Sequence, residues 1–197
     1  MSEIMVIPNQ QTPRVPEIED IELFFIQNIK RLQEFKDYAH TRFDAVGLAA
    51  NQVSFDDERF MLRVFALKRF DNFEIDYKPM WRLIIDPHII EYIGIKEIKT
   101  EGCLTWKGKL IVAERSRAIR VNYYDEFGQS VNNELHFGFE GQVWQHEINH
   151  LNGVEERVEE RGFIEPKSIS VGRNDPCPCN SGKNTNIVVY YIFKSYL

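Results

Sequence analysis

Three things are scarce in this chain of 197 residues. Cysteine is the first. There are 3, with Cys103 alone and Cys177 and Cys179 two apart, too few and too unevenly placed for a disulfide framework. Free thiols or metal ligands in a reducing compartment are the expectation. Long apolar runs are the second. None approaches the roughly 18 residues of a membrane span. The opening MSEIMVIPNQQTP also lacks a basic region ahead of an apolar stretch, and it lacks the Arg- and Ser-rich look of a transit peptide. A cytoplasmic protein with no membrane partner is expected. Positive charge is the third: 24 Lys and Arg stand against 30 Asp and Glu, a formal charge of −6. Generic nucleic-acid binding relies on surplus Lys and Arg to displace phosphate counterions, so no direct sequence-specific nucleic-acid partner is expected. Docking on a ribonucleoprotein through a local patch stays open.

Aromatic residues are plentiful. With 14 Phe, 8 Tyr and 3 Trp the chain can bury a sizeable core, which excludes global disorder. Pro8, Pro13 and Pro16 make residues 1–16 read as an extended arm. From Glu17 to about His40, Ile18, Ile21, Phe25, Leu32, Phe35 and Ala39 fall on one stripe, which predicts an amphipathic helix. Strand-prone runs follow at 60–67, 81–86, 88–95, 109–114 and 118–125. They are punctuated by Asp71-Asn72, Asp86-Pro87, Lys107-Gly108 and Phe127-Gly128. From about Gly138 the helical spacing returns, with Phe139, Val143, His146 and His150 on one face and Gly153 as a stop. One helix, a block of strands and a second helix is an α+β order rather than alternating βαβ. Beyond Pro166 the chain turns polar and turn-rich (170–186) and ends in the β-prone IVVYYIFKSYL, an aggregation hazard unless packed or paired. The expected division is 1–166 and 167–197.

The strongest chemical signal is His146-Glu147-Ile148-Asn149-His150. Residues four apart on a helix project from one side, so both imidazoles can reach one metal ion. Glu147 sits about 100° round from His146, close enough to take a proton from a water polarised by that ion. The motif supplies two ligands and a base but lacks a third ligand. One candidate is Glu156, since His146…His150…Gly153…Glu156 is similar to the extended metzincin pattern with an acid in place of the last His. That reading makes the chain a metalloendopeptidase. The other candidate is Cys103, 43 residues before His146. Glu101, beside it, reads as a solvated surface carboxylate.

AVGLAANQ (45–52), EGCLT (101–105) and QHEINH (145–150), in this order and spacing, resemble the three motifs of peptide deformylases over roughly residues 10–165. The likeness includes Ile-Ile-Asp-Pro at 84–87, Arg115, and Gly138 ahead of the histidine helix. It implies antiparallel or mixed sheets packed around a central helix that carries the His-Glu-x-x-His motif. It also implies hydrolysis of the formyl group from the N-terminal formyl-methionine of nascent polypeptides, in a bacterial-type translation compartment. By that resemblance Cys103, His146 and His150 hold one divalent ion, usually ferrous iron, with zinc or nickel able to occupy the same site. Glu147 is the general base and acid. Gln52 and the backbone N–H of Leu104 stabilise the oxyanion. Gly47 pairs its backbone with the substrate, and Val46, Phe139 and Val143 receive the methionine side chain.

Two positions depart from the family pattern. Ala45 replaces a glycine, where a methyl would be strained if the backbone had to be left-handed or very closely approached. Asn149 replaces an acid, keeping an acceptor but losing charge. A fold retained as a non-catalytic binding protein is the reading these departures would favour. GRNDPCPCNSGK (172–183) resembles the first half of a SEC-C zinc motif, but no Cys or His follows, and a structural zinc site wants four ligands. A degenerate or truncated appendage is expected there. Deformylases can carry a C-terminal extension that contacts the ribosome transiently.

Overall fold

The computed structural model describes residues 4–68, 80–155 and 157–160. In chain order it runs β1 (Ile4–Val6), α1 (Ile21–Thr41), β2 (Gly47–Ala49), a single 3-10 turn (Ala50–Gln52), β3 (Val53–Phe55), β4 (Glu58–Arg59) and β5 (Val64–Lys68). Then come β6 (Trp81–Glu101), β7 (Lys109–Tyr124), β8 (Ser130–Phe137), α2 (Gly138–Asn152) and β9 (Arg157–Glu160). Every described strand pair is antiparallel. One sheet has the order β1-β3-β4. The other runs β2-β5-β6-β7-β8, with β9 also on β7. Strand β2 therefore lies at one end of the larger sheet. The expected α+β architecture is what the chain adopts.

Helix α1 begins at Ile21 rather than Glu17. Asp20 sits in an extended conformation and its carboxylate accepts the Leu23 N–H at 2.9 Å, which caps the helix there. Its buried stripe is Phe24, Leu32, Phe35 and Ala39. Phe24 was absent from the expected stripe, while Ile21 and Phe25 are half-buried at its edge. Phe35 stacks on Phe60 with ring centroids 5.6 Å apart, joining α1 to the chain before β5.

The two runs at 81–86 and 88–95 are one long strand. Asp86-Pro87 does not break it but makes a bulge, with the register passing from Ile85↔Tyr124 to His88↔Asn122. Asp86 takes φ +48°, which an Asp tolerates better than most residues. Its buried carboxylate meets Arg63 Nε at 3.0 Å. The runs at 109–114 and 118–125 likewise merge into β7.

Helix α2 is buried on almost every side, from Gly141 through Leu151. It is the expected central helix. Trp144 anchors it, with Phe65, Tyr123 and His136 rings at 5.0, 5.1 and 4.3 Å. Gln145 clamps it to β7: its Oε1 accepts from Ser116 N at 2.9 Å and its Nε2 donates to Ser116 O at 3.0 Å. Gly153 closes the helix at φ +64°, and a Cβ there would lie 2.6 Å from Arg14 N. Only glycine lets the N-terminal arm pass so close. Among the described residues no helix is long and apolar enough to cross a membrane. The expected boundary at 166/167, Glu156, Cys177, Cys179 and the Asp71-Asn72 turn lie outside the described residues.

Candidate metal centre

Three distant segments deliver the chemistry. The turn after β2 carries Gln52, the loop after β6 carries Cys103 to Thr105, and α2 carries His146, Glu147 and His150. Cys103 Sγ lies 3.4 Å from His150 Nε2, and that nitrogen lies 3.1 Å from His146 Nε2. All three donor atoms fall within 4.8 Å of one another. A tetrahedral ion with nitrogen and sulfur ligands at ordinary bond lengths spaces them roughly 3.3–3.6 Å apart, so this set fits one.

The residues behind the donors fix their orientation. His146 Nδ1 is 2.7 Å from Glu101 Oε2. A carboxylate only accepts, so Nδ1 carries a hydrogen and Nε2 is the nitrogen that would offer its lone pair to an ion. Glu101 is in turn gripped by Arg115, Nε to Oε1 at 2.9 Å and Nη2 to Oε2 at 2.7 Å. This corrects the reading of Glu101 as a solvated surface carboxylate. It is 8% exposed and forms a bidentate pair with Arg115, so its side chain is part of the buried centre. Burial pushes the Glu101 pKa up, but hydrogen bonds from His146 and Arg115 outweigh it and hold the group down at about 2. Burial also works against charge on His146, yet Cys103 and Glu101 raise its pKa well above that of ordinary imidazole. His150 moves the other way, lowered by burial, by His146 and by Arg115.

Gln52 is buried and its amide is oriented by the backbone. Ala49 N–H donates to Oε1 at 2.8 Å, which turns Nε2 toward Thr105 Oγ1 at 3.0 Å and Cys103 Sγ at 3.4 Å. Glu147 is buried beside β2. A Cβ on Gly47 would lie 2.9 Å from both Glu147 Cγ and Cδ, so the glycine makes room for the carboxylate. Leu104 is half-buried against the core under α1, and Val46 is half-buried against the core around α2. Val143 is buried in that second core, whereas Phe139 is 58% exposed on the first turn of α2. Ala45 packs into the first core without a left-handed φ, so the backbone conformation at this position does not call for a glycine.

Sequence reasoning missed the supporting residues Thr105, Thr12 and Asn51. Thr12 and Asn51 both bond the His150 carbonyl, at 2.9 and 2.6 Å. Asn51 and Thr105 lie inside the motifs AVGLAANQ and EGCLT, which was their signal, whereas Thr12 stands well before the first motif and carried none.

Comparison with known proteins gives a consistent result. The family described as polypeptide deformylase matches residues 2–158. A peptide deformylase of Thermotoga maritima is 33% identical over 130 residues, covering 66% of this chain and 71% of that protein. The crystal structure of a Thermotoga maritima peptide deformylase aligns with a TM-score of 0.57 at 28% identity, over 76% of this chain and 92% of that one. A Synechococcus elongatus peptide deformylase, solved in complex with actinonin, aligns with a TM-score of 0.58 at 26% identity over 80% of each chain.

Proposed function

The chain belongs to the polypeptide deformylase family, and from that premise we propose that it is a metal-dependent amidase removing the formyl group from the N-terminal formyl-methionine of nascent peptides. The observation that carries this reading is the convergence of Cys103 Sγ, His146 Nε2 and His150 Nε2 beside a buried glutamate. A thiolate with two neutral imidazoles suits a soft or borderline divalent ion, and the family resemblance makes ferrous iron the expected one, with zinc or nickel able to occupy the same site. Bound there, such an ion lowers the pKa of a water to roughly 7 and polarises the formyl oxygen.

The chain's own residues do the rest. Glu147 takes the proton of the attacking water on its carboxylate and hands it to the departing amine. The Gln52 amide and the Leu104 N–H donate to the oxygen on which negative charge develops. The edge of β2 at Gly47 offers backbone groups for a peptide added as a further strand, recognition that asks little of the side chains. Val46, Val143 and the exposed ring of Phe139 supply apolar surface for the methionine side chain. The catalytic unit spans residues 1–166. Residues 167–197 form an extension whose Cys177 and Cys179 fall short of a four-ligand zinc site, and which is the segment to test for transient ribosome contact.

Formate release from a formyl-Met tripeptide by the anaerobic, ferrous-loaded protein tests the reading. Release that is abolished by a chelator and by Glu147→Gln supports it, and no release rejects it. Actinonin is expected to compete with the substrate. Loss of metal in Cys103→Ser with retention in Glu156→Ala supports the thiolate site. The reverse pattern, with cleavage inside an unblocked peptide, would make the chain an endopeptidase.

A further inference from the structure

We propose that Thr12 is a positioning residue that sets the tautomer and direction of the His150 ring, as the centre of an N-terminal strap tying the three motifs together. The inference rests on the reading of Cys103, His146 and His150 as metal ligands.

Thr12 is 5% exposed. Its Oγ1 lies 2.9 Å from the His150 carbonyl oxygen and 3.3 Å from His150 Nδ1. A threonine hydroxyl has one hydrogen, and a carbonyl oxygen can only accept. The hydrogen therefore goes to the carbonyl, and the hydroxyl turns a lone pair toward Nδ1. Nδ1 must then carry the ring hydrogen, which leaves the lone pair on Nε2. That is the nitrogen 3.4 Å from Cys103 Sγ. The two imidazoles are thus set in the same tautomer by different means, His146 by the carboxylate of Glu101 and His150 by a neutral hydroxyl.

The rest of the arm is built to keep the hydroxyl in place. Ile7 N–H donates to Gln52 O and Asn9 N–H to Thr105 O, both at 2.8 Å. Asn51 Nδ2 donates to Pro13 O at 2.8 Å, and Val15 N–H donates to Leu151 O at 2.8 Å. Residues 7–15 thereby touch the glutamine turn, the cysteine loop and the end of the histidine helix in succession. Beyond them Arg63 Nη1 donates to Val15 O at 3.3 Å. The His150 carbonyl also receives Asn51 Nδ2 at 2.6 Å and Gly153 N–H at 3.1 Å. Losing the Thr12 hydroxyl therefore leaves that oxygen satisfied, and the effect falls on the ring.

The test uses Thr12→Val, which keeps the shape and removes the hydroxyl, and Thr12→Ser, which restores it. Metal-free full-length protein is titrated with Co(II) against a competing chelator, and the thiolate-to-cobalt absorption is recorded. Thr12→Val is expected to bind Co(II) about 10–100-fold more weakly with an altered ligand-field band, which is the size typical of losing a partner of a ligating histidine. Thr12→Ser should return to within about threefold of wild type, and the metal-free melting temperatures of all three should agree within a few degrees. Wild-type affinity and spectrum in Thr12→Val, or no rescue by Ser, overturns the proposal. Should Thr12→Val fail to fold, nitrogen-15 NMR of the zinc-loaded wild type decides. A slowly exchanging His150 Nδ1–H supports the assignment, and a ring protonated at Nε2 or exchanging freely at Nδ1 refutes it. Tight Cys103-dependent Co(II) binding without formate release would refute the deformylase reading alone, because the affinity readout does not depend on turnover.

Discussion

Replacing Gly47 by alanine isolates the placement of Glu147 from everything else in the centre. Gly47 is absent from the glycines with positive φ, so its backbone conformation suits alanine as well as glycine. The added Cβ would stand 2.9 Å from Glu147 Cγ and Cδ, against an ordinary carbon–carbon contact of about 3.5 Å. Glu147 Oε1 stands closer still, so strand or side chain must yield by about 1 Å. Strand β2 is held to β5 through Gly47↔Leu67, Leu48↔Ala66 and Ala49↔Phe65, so the carboxylate yields. A general base contributes about 10²–10⁴ in rate, and a misplacement near 1 Å can cost about 10². We expect Gly47→Ala to lower kcat by about 10–100-fold, roughly 1.4–2.7 kcal/mol, with metal content, KM and melting temperature close to wild type. Steady-state kinetics on a formyl-Met peptide gives the split. A raised KM at unchanged kcat would mean that Gly47 serves only to pair with substrate. In a double-mutant cycle the substitution should add little to Glu147→Gln, because the group it displaces is already inert. Full activity in Gly47→Ala, or the same additional loss on the Glu147→Gln background, refutes the reasoning.

Gln52→Leu should keep its metal and lose about 10²–10³ in kcat, the effect of removing one donor to a developing oxyanion, measured on metal-replete protein. Glu101 gives a pH signature in the metal-free protein. Its pKa is about 2 in the fold against an ordinary 4.5, so its stabilisation is fully present above about pH 5 and is lost as pH falls through 4.5 toward 2. That difference corresponds to at most about 3 kcal/mol. In urea unfolding, the stability gap between wild type and Glu101→Gln should narrow by about 2 kcal/mol from pH 6 to pH 3, because the folded-state carboxyl is still mostly ionised at pH 3, and a constant gap would contradict the buried ion pair. Trp144→Ala, at a fully buried ring packed on Phe65, Tyr123 and His136, should cost about 3–5 kcal/mol in the same assay.

What was legible in the sequence follows from the range of each interaction. His146 and His150 could be placed on one side of a helix because a spacing of four is a property of the helix itself. Cys103 could not be reached that way. It stood beside Glu156 as an open candidate for the third ligand, and only the likeness of EGCLT to a family motif favoured it. Glu101 was misread because its burial is decided by Arg115, which reaches it across the β6–β7 hairpin from 14 residues along the chain. A glutamate two residues before a cysteine carries no mark of that partner. Element boundaries failed where one side chain overruled a pattern: Asp20 capped α1 late, and Asp86 turned a break into a bulge. Strands β2, β3 and β4 have 3, 3 and 2 residues, too few for any alternation to show.

The charges in the centre argue for the kind of ion it is built to hold. Glu101, Glu147 and Arg115 are all buried, and Cys103 as a ligand is a thiolate. Three negative groups against one guanidinium leave two formal charges unbalanced in a region where an uncompensated charge costs several kcal/mol. Both histidines, turned to present Nε2 lone pairs, are neutral as ligands and change nothing in that balance. A divalent cation restores neutrality, a monovalent one leaves a deficit, and a trivalent one overshoots. Within that balance Arg115 cancels Glu101, the carboxylate that orients His146. On the proposed reading the thiolate and Glu147 would be left to face the ion and the water beside it. A carboxylate neutralised by arginine is a poor proton acceptor, so the proposed reaction takes Glu147 rather than Glu101 as its base, although both are buried.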